Sequence, residues 1–256
     1  MKFILFSPLA QFEVTNLINF NSPLFAELNL TLTNFSLYII LMTIIIIGLH
    51  YLSNNENSLV PSNWSVGIEA AYQSLRSIVN EQIGSNSKGG LYFPFVYSIF
   101  FYILINNLIS NIPYSFGTTT SAIMCLGLSF TIFLGVTTLA LYLHRVSFFS
   151  YFIPAGTPLA LVPLLVLIET VSYFARAISL GVRLFANLTA GHTLLKILST
   201  FLHKLFSAGV ITALLTLIPF SIFLGLIGLE IAVSFIQAFV FTLLTCSYLK
   251  DAIYLH

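Results

Sequence analysis

Glu169, Arg176, Arg183 and His192 lie inside one long apolar run and Glu230 inside the next, so these side chains need a chemical reason to be there. The first three are spaced seven residues apart. On an α-helix they share one stripe that drifts only about 20° per heptad. A guanidinium at the centre of a membrane helix costs roughly 2.5 to 3.5 kcal/mol even on the lenient insertion scale, and it cannot lower that cost by shedding its proton. Each arginine therefore requires a polar or anionic partner. Ser179, Ala186 and Ala190 continue the stripe with small side chains that let another helix approach closely. In the second run Glu230, Ser234 and Gln237 are spaced i, i+4, i+7 and form one polar face, with Gly225, Gly228 and Ala232 as further small positions. Carboxylates removed from water and an imidazole can both load and unload protons at working pH, whereas an arginine only sets the field. This is the inventory of a proton pathway. The blander reading pairs Glu169 with Arg176 and Glu230 with Arg183 as ion pairs between helices, and spacing alone leaves both readings open.

The elements that position these groups must be membrane helices. The chain has 256 residues, 58% of them hydrophobic and 7% charged, where a soluble protein carries about a quarter charged. A net charge of +1 with no basic cluster gives no basis for binding nucleic acid. Cys125 and Cys246 stand in apolar runs with no metal or redox spacing and read as core residues. No phosphate loop, HExxH, GxSxG or CxxC occurs, so no cofactor is implied and chemistry on a bound soluble substrate is disfavoured.

The fold class expected is an all-α polytopic membrane protein forming a single membrane domain over 1–256. Residues 1–6 are too short for a secretory signal or a span, and 9–34 are polar enough to be interfacial. Residues 35–52 form a first spanning helix, just long enough to cross about 30 Å of hydrocarbon. A turn-rich linker leads to 64–83, where Trp64, Ile68, Ala71, Leu75 and Ile78 share a helical face opposite Glu69, Gln73 and Arg76, the pattern of an amphipathic surface helix. Residues 91–143 read as a spanning helical hairpin. Asn106, Asn107 and Asn111 near its turn either bond neighbouring helices or help hydrate a proton path. The runs 158–200 and 205–255 would each be about 65 to 75 Å long as one helix, twice the hydrocarbon thickness. Neither has a polar turn at its middle, so 158–255 is expected to be a hairpin of two long, strongly tilted helices, broken at LSTFLHKLFSAG, with a bend at Pro219. Lys196, His203 and Lys204 read as charges that snorkel to water. Lysine and arginine are too evenly scattered to orient the chain.

ARAISLGVRLFANLTAGH, followed about forty residues later by GLEIAVSFIQAFVFTLLTCSYLKDA, resembles subunit a of the F-type proton-translocating ATP synthase, and SPLAQFEV and NNLISNIPYSF extend the resemblance to the fungal mitochondrial form over nearly the whole chain. The resemblance implies that 1–6 is a leader removed before Ser7, and that the protein sits, multi-pass, in the mitochondrial inner membrane. Its partners would be the c-ring proteolipids, other Fo and peripheral-stalk subunits, membrane lipid and protons. Arg183 matches the family's indispensable charge, with Gln237 facing it and Asn187 one turn along. His192 and Glu230 match the pair of the half-channel open to the intermembrane space. Glu169 and Asp251 match carboxylates of the half-channel to the matrix, with Arg176 and Ser234 as supporting polar groups. Bacterial members generally carry the His192 and Glu230 types in swapped positions, which favours the mitochondrial branch.

The implied role is a stator that is not an enzyme on its own. Each c-ring carboxylate passing Arg183 would be driven to ionise, since the attraction is about 4 kcal/mol at roughly 4 Å and an effective dielectric near 20. Arg183 would also block a direct leak between two half-channels that never meet. Two other classes fit less of the sequence. A secondary transporter with an arginine anion site would show paired repeats and broken helices in both halves, and a purely structural respiratory-complex subunit would need its buried charges only to pair.

Overall fold

A computed structural model describes residues 11–21, 29–54, 60–84, 87–112, 115–153, 161–207, 209, 212 and 215–254. The expected leader, 1–6, lies outside the described residues. Among those described, six α-helices follow a small β-hairpin: β1 (Asn16–Asn21), β2 (Asn29–Thr33), α1 (Asn34–Ser53), α2 (Asn63–Ile83), α3 (Ser87–Ser110), α4 (Ala122–His144), α5 (Val162–Ser207) and α6 (Leu217–Ile253). All but α2 are long and apolar enough to cross a membrane. The helical membrane architecture holds, and the short hairpin is an addition that the all-α expectation does not include. Its strands pair antiparallel, Asn21 opposite Asn29 and Asn16 opposite Thr33, and Asn29–Thr33 reads NLTLT, a strict alternation of polar and apolar residues that suits a strand and not a helix.

The long apolar runs are each one helix over most of their length, α5 with 46 residues and α6 with 37. α5 continues to Ser207, so the helix ends at the far end of LSTFLHKLFSAG, the stretch in which the break is expected. Its hydroxyl residues do not interrupt it because they bond back to the preceding turn, Thr200 to the Ile197 carbonyl at 2.7 Å and Ser207 to that of Lys204 at 2.9 Å. Pro219 does not bend α6 internally. It occupies the first turn, where a missing N–H leaves no helical bond unmade.

The chain divides into two compact units, one of residues 1–49, 102–121 and 185–237, the other of 50–101, 122–184 and 238–256. In the first, Asn106 and Asn107 are fully buried and receive hydroxyl hydrogen bonds from Thr118 and, at 3.1 Å, Thr119, which fixes the short 3-10 turn Thr118–Thr120 against the end of α3. In the second, α2 starts at Ser62, whose hydroxyl accepts from the Ser65 N–H at 3.3 Å, and stops at Gly84, whose φ of 99° favours glycine. Its buried face is Leu75, Val79 and Ile83, and Tyr72 meets Phe93 of α3 at 4.8 Å between ring centroids. Of the apolar face read in the sequence, Leu75 is buried and Ile68, Ala71 and Ile78 are half-buried, while Trp64 at the start of the helix is 63% exposed. α4 packs closely on α5 at Gly181, where a Cβ would stand 3.0 Å from the Cys125 carbonyl oxygen and 3.1 Å from Leu126 Cα. The Ser129 hydroxyl donates to the Ala177 carbonyl beside it. Cys125 and Cys246 are both buried.

Candidate functional site

Two polar clusters gather the side chains singled out above. In the first unit, His192 Nδ1 of α5 stands 3.3 Å from Glu230 Oε1 of α6, with side chains only 16% and 8% exposed. Gly191 makes this approach possible, because a Cβ there would lie 2.9 Å from Glu230 Oε1. One helical turn on, the Ser234 hydroxyl donates to the Glu230 carbonyl at 2.9 Å and accepts from Asn111 Nδ2 at 3.0 Å. Asn187 Nδ2 of α5 donates to Gln237 Oε1 of α6 at 3.0 Å. The polar face of α6 is thus buried and each of its three members meets a different residue: Glu230 meets His192, Ser234 meets Asn111 and Gln237 meets Asn187. Of the two partners that the sequence leaves open for Glu230, the one beside it is His192 and not Arg183.

His192 and Glu230 line an open chamber of about 830 Å³ shared with Gln11, Glu13, Asn34, Asn111, Ser115, Lys196 and Ser199. Lys196, one turn after His192 on α5, also lines the chamber. His192 Nε2, Asn111 Oδ1 and Gln237 Nε2 are buried atoms with no hydrogen-bond partner among the described residues. Buried polar atoms left open by protein are what a water-lined path requires.

The second cluster, in the other unit, centres on Arg176. Its Nη2 is 3.3 Å from Glu169 Oε1 and its Nη1 is 3.3 Å from Asp251 Oδ2, each side chain about a third exposed. Nη1 also donates to the Tyr151 hydroxyl at 3.3 Å, and that hydroxyl donates to Asp251 Oδ2 at 3.5 Å. Tyr151 arrives on the 3-10 segment Arg145–Phe152, which follows α4 after a turn at Arg145 with φ 49°. The Tyr248 hydroxyl donates to the Arg176 carbonyl at 3.5 Å. Arg176, Asp251, Tyr151, Tyr173 and Tyr248 surround a small cavity of about 30 Å³, room for a water molecule or two. One guanidinium therefore bridges two carboxylates, one through each terminal nitrogen.

Arg183 is different. It forms no hydrogen bond or ion pair among the described residues and sits on an exposed stripe of α5 with Ser179, Ala186, Asn187 and Ala190.

The family model for the ATP synthase A chain matches residues 36–250. A protein named ATP synthase subunit a from Mycosarcoma maydis is 57% identical over 256 residues, covering all of both chains. Proteins of the same name from Kluyveromyces lactis and Emericella nidulans are 50% and 48% identical, covering 98% and 100% of this chain and 97% and 98% of their own. This chain belongs to the ATP synthase subunit a family. It is accordingly a multi-pass membrane protein of the Fo sector.

The span matched by the subunit a family model contains Glu169, Arg176, Arg183, Asn187, His192, Glu230, Ser234 and Gln237 and stops one residue short of Asp251. Sequence reasoning missed Tyr151, Asn111 as the partner of Ser234, and the residues preceding β1 as chamber wall. Tyrosine is too common near membrane interfaces to stand out by type, and Asn111, visible as a buried amide, has a partner 123 positions away that no local spacing identifies. Gly191 alone carried a usable signal, a glycine directly beside a titratable residue inside a membrane helix.

Proposed function

We propose that this chain is the proton-conducting stator of a mitochondrial Fo motor in the inner membrane, coupling proton flow to rotation of a c-ring and so to ATP synthesis. The observation that carries the reading is the contrast between its arginines. Arg176 is fully engaged by carboxylates of its own chain, and Arg183 has none and lies on an exposed face of small residues. A guanidinium with no internal counter-ion in a membrane helix calls for an external one, and a ring of carboxylates moving past it supplies that charge transiently.

In this reading protons reach the ring from the intermembrane space through the chamber at His192 and Glu230. They leave to the matrix past Glu169 and Asp251, which Arg176 holds in place. Arg183, seven residues after Arg176 and nine before His192, separates the two paths. Asn187 and Gln237, bonded at 3.0 Å, continue the polar lining beyond Glu230. Each proton crossing the membrane potential contributes roughly 2.3 kcal/mol per 100 mV, which biases the direction of rotation. The test is copurification and flux together. The chain should leave detergent with a ring of small two-helix proteolipids, and vesicles carrying Arg183→Ala at matched assembly should lose ATP-driven proton pumping. Normal pumping by that variant overturns the reading.

A further inference from the structure

The residues before β1 have no part in the proton path outlined above, yet they form one wall of the chamber that contains it. Gln11, Glu13 and Thr15 line the chamber together with His192 and Glu230. The Phe12 ring meets the His192 imidazole edge-on, with centroids 6.4 Å apart and planes inclined by 61°. A single side chain at the start of α1 holds this segment. Asn34 Oδ1 accepts from the Thr15 N–H at 3.2 Å, Asn34 Nδ2 donates to the Glu13 carbonyl at 3.3 Å, and the Asn34 N–H donates to the Thr15 carbonyl at 3.1 Å. Three hydrogen bonds from one residue to backbone atoms two positions apart fix a segment that has little regular structure of its own. The Gln11 amide nitrogen is buried in the same wall.

We infer that residues 11–15, latched by Asn34, are the outer wall of the His192–Glu230 chamber, and that Phe12 is a positioning residue that fixes the His192 ring and shields it from bulk water. The physical argument rests on the two nitrogens of His192. Nδ1 is 3.3 Å from Glu230 Oε1, but the imidazole can rotate about its side-chain bonds unless its ring is packed, and Phe12 meets that ring with the edge-on geometry aromatic rings prefer. Nε2 has no hydrogen-bond partner among the described residues, so this nitrogen is where a proton from the chamber must arrive. A wall of apolar ring and backbone beside the imidazole limits arrival to water already inside the chamber. The inference adds a role for the N-terminal segment to the proposed proton path and rests on that reading for its functional meaning.

The experiment reads the wall directly. In assembled complex in membranes, the rate at which diethyl pyrocarbonate modifies each histidine is followed by peptide mass spectrometry, with His144 and His203 as internal references. Phe12→Ala and Asn34→Ala are each expected to raise the rate at His192 by about tenfold, the effect of losing contacts of this strength, while the reference histidines stay unchanged. Phe12→Tyr, which keeps the ring, should leave His192 protected. Unchanged reactivity of His192 in both alanine variants overturns the inference, as does an equal rise at all three histidines, which would mean general loosening. Failure of the proton-path reading would look different: His192→Ala would pump protons normally whatever the reactivity of the wild-type ring.

Discussion

Adding one methyl group at Gly191 should separate a working His192–Glu230 pair from one that is merely close. A Cβ on residue 191 would stand 2.9 Å from Glu230 Oε1, 3.3 Å from its Cδ and 3.5 Å from its Cγ, whereas ordinary contact begins near 3.4 Å. The atom in the way is the free end of a side chain, so the carboxylate and not the helix gives way, by about 0.5 Å away from α5. Because His192 is on α5, that movement lengthens the 3.3 Å contact to about 3.8 Å, at the edge of useful proton exchange. A misplacement of about 1 Å at a reacting contact costs about a hundredfold in rate, so about half of that costs about tenfold. Gly191→Ala should therefore lower the rate of ATP-driven proton pumping per assembled complex by about tenfold or more. Assembly itself should hold, since alanine is the better helix former. The assay is dye-monitored acidification of inverted vesicles normalised to the amount of complex. Gly181→Ala is the control, because its Cβ would meet the Cys125 carbonyl and Leu126 Cα, backbone that cannot retreat, and it should reduce the amount of complex more than the rate per complex. Pumping by Gly191→Ala within about twofold of wild type would refute the idea that the pair carries protons at this separation.

Arg183→Lys should be nearly as damaging to pumping as Arg183→Ala, because a compact ammonium cannot present the planar, permanently charged fork, and Arg183→Ala should also raise passive proton permeability. Arg176→Lys should retain measurable pumping, since ion pairs of its exposure are worth about 1 kcal/mol at most; equal loss at both arginines would contradict the division of roles. Glu169→Gln should slow proton translocation in fully assembled complex, because the amide keeps size and hydrogen bonding but carries no exchangeable acid, and unaltered flux would remove Glu169 from the path. His192→Ala and Glu230→Ala together should cost less than the sum of the single changes, as residues in contact do, and strict additivity in the flux measurements would deny that they form one site.

The polar residues of α6 show what a sequence makes visible and what it withholds. Glu230, Ser234 and Gln237 fall on one face by spacing alone, and all three are buried on that face. A helical period can announce that a buried polar stripe exists, because the cost of leaving such groups unpaired is general. It cannot say who the partners are. Asn111 lies 123 positions before Ser234 and Asn187 lies 50 before Gln237, and nothing local ties either pair together. Arg176 illustrates the same division within one residue. Its pair with Glu169 follows from a spacing of seven on a continuous helix, while its pair with Asp251, 75 positions away, exists only because α6 packs back along α5 in that unit. The hairpin before α1 was legible in principle, from the alternation in NLTLT, but an interfacial segment of mixed polarity gives a weaker signal than a spanning helix. Arg183 reverses the usual logic of a buried charge. The rule that an intramembrane arginine must have a partner holds for Arg176 inside the chain, and for Arg183 the same rule points outward. The most informative charge in the sequence is the one without a counter-ion among the described residues, and in the function proposed above its partner belongs to another protein and arrives only as that protein turns.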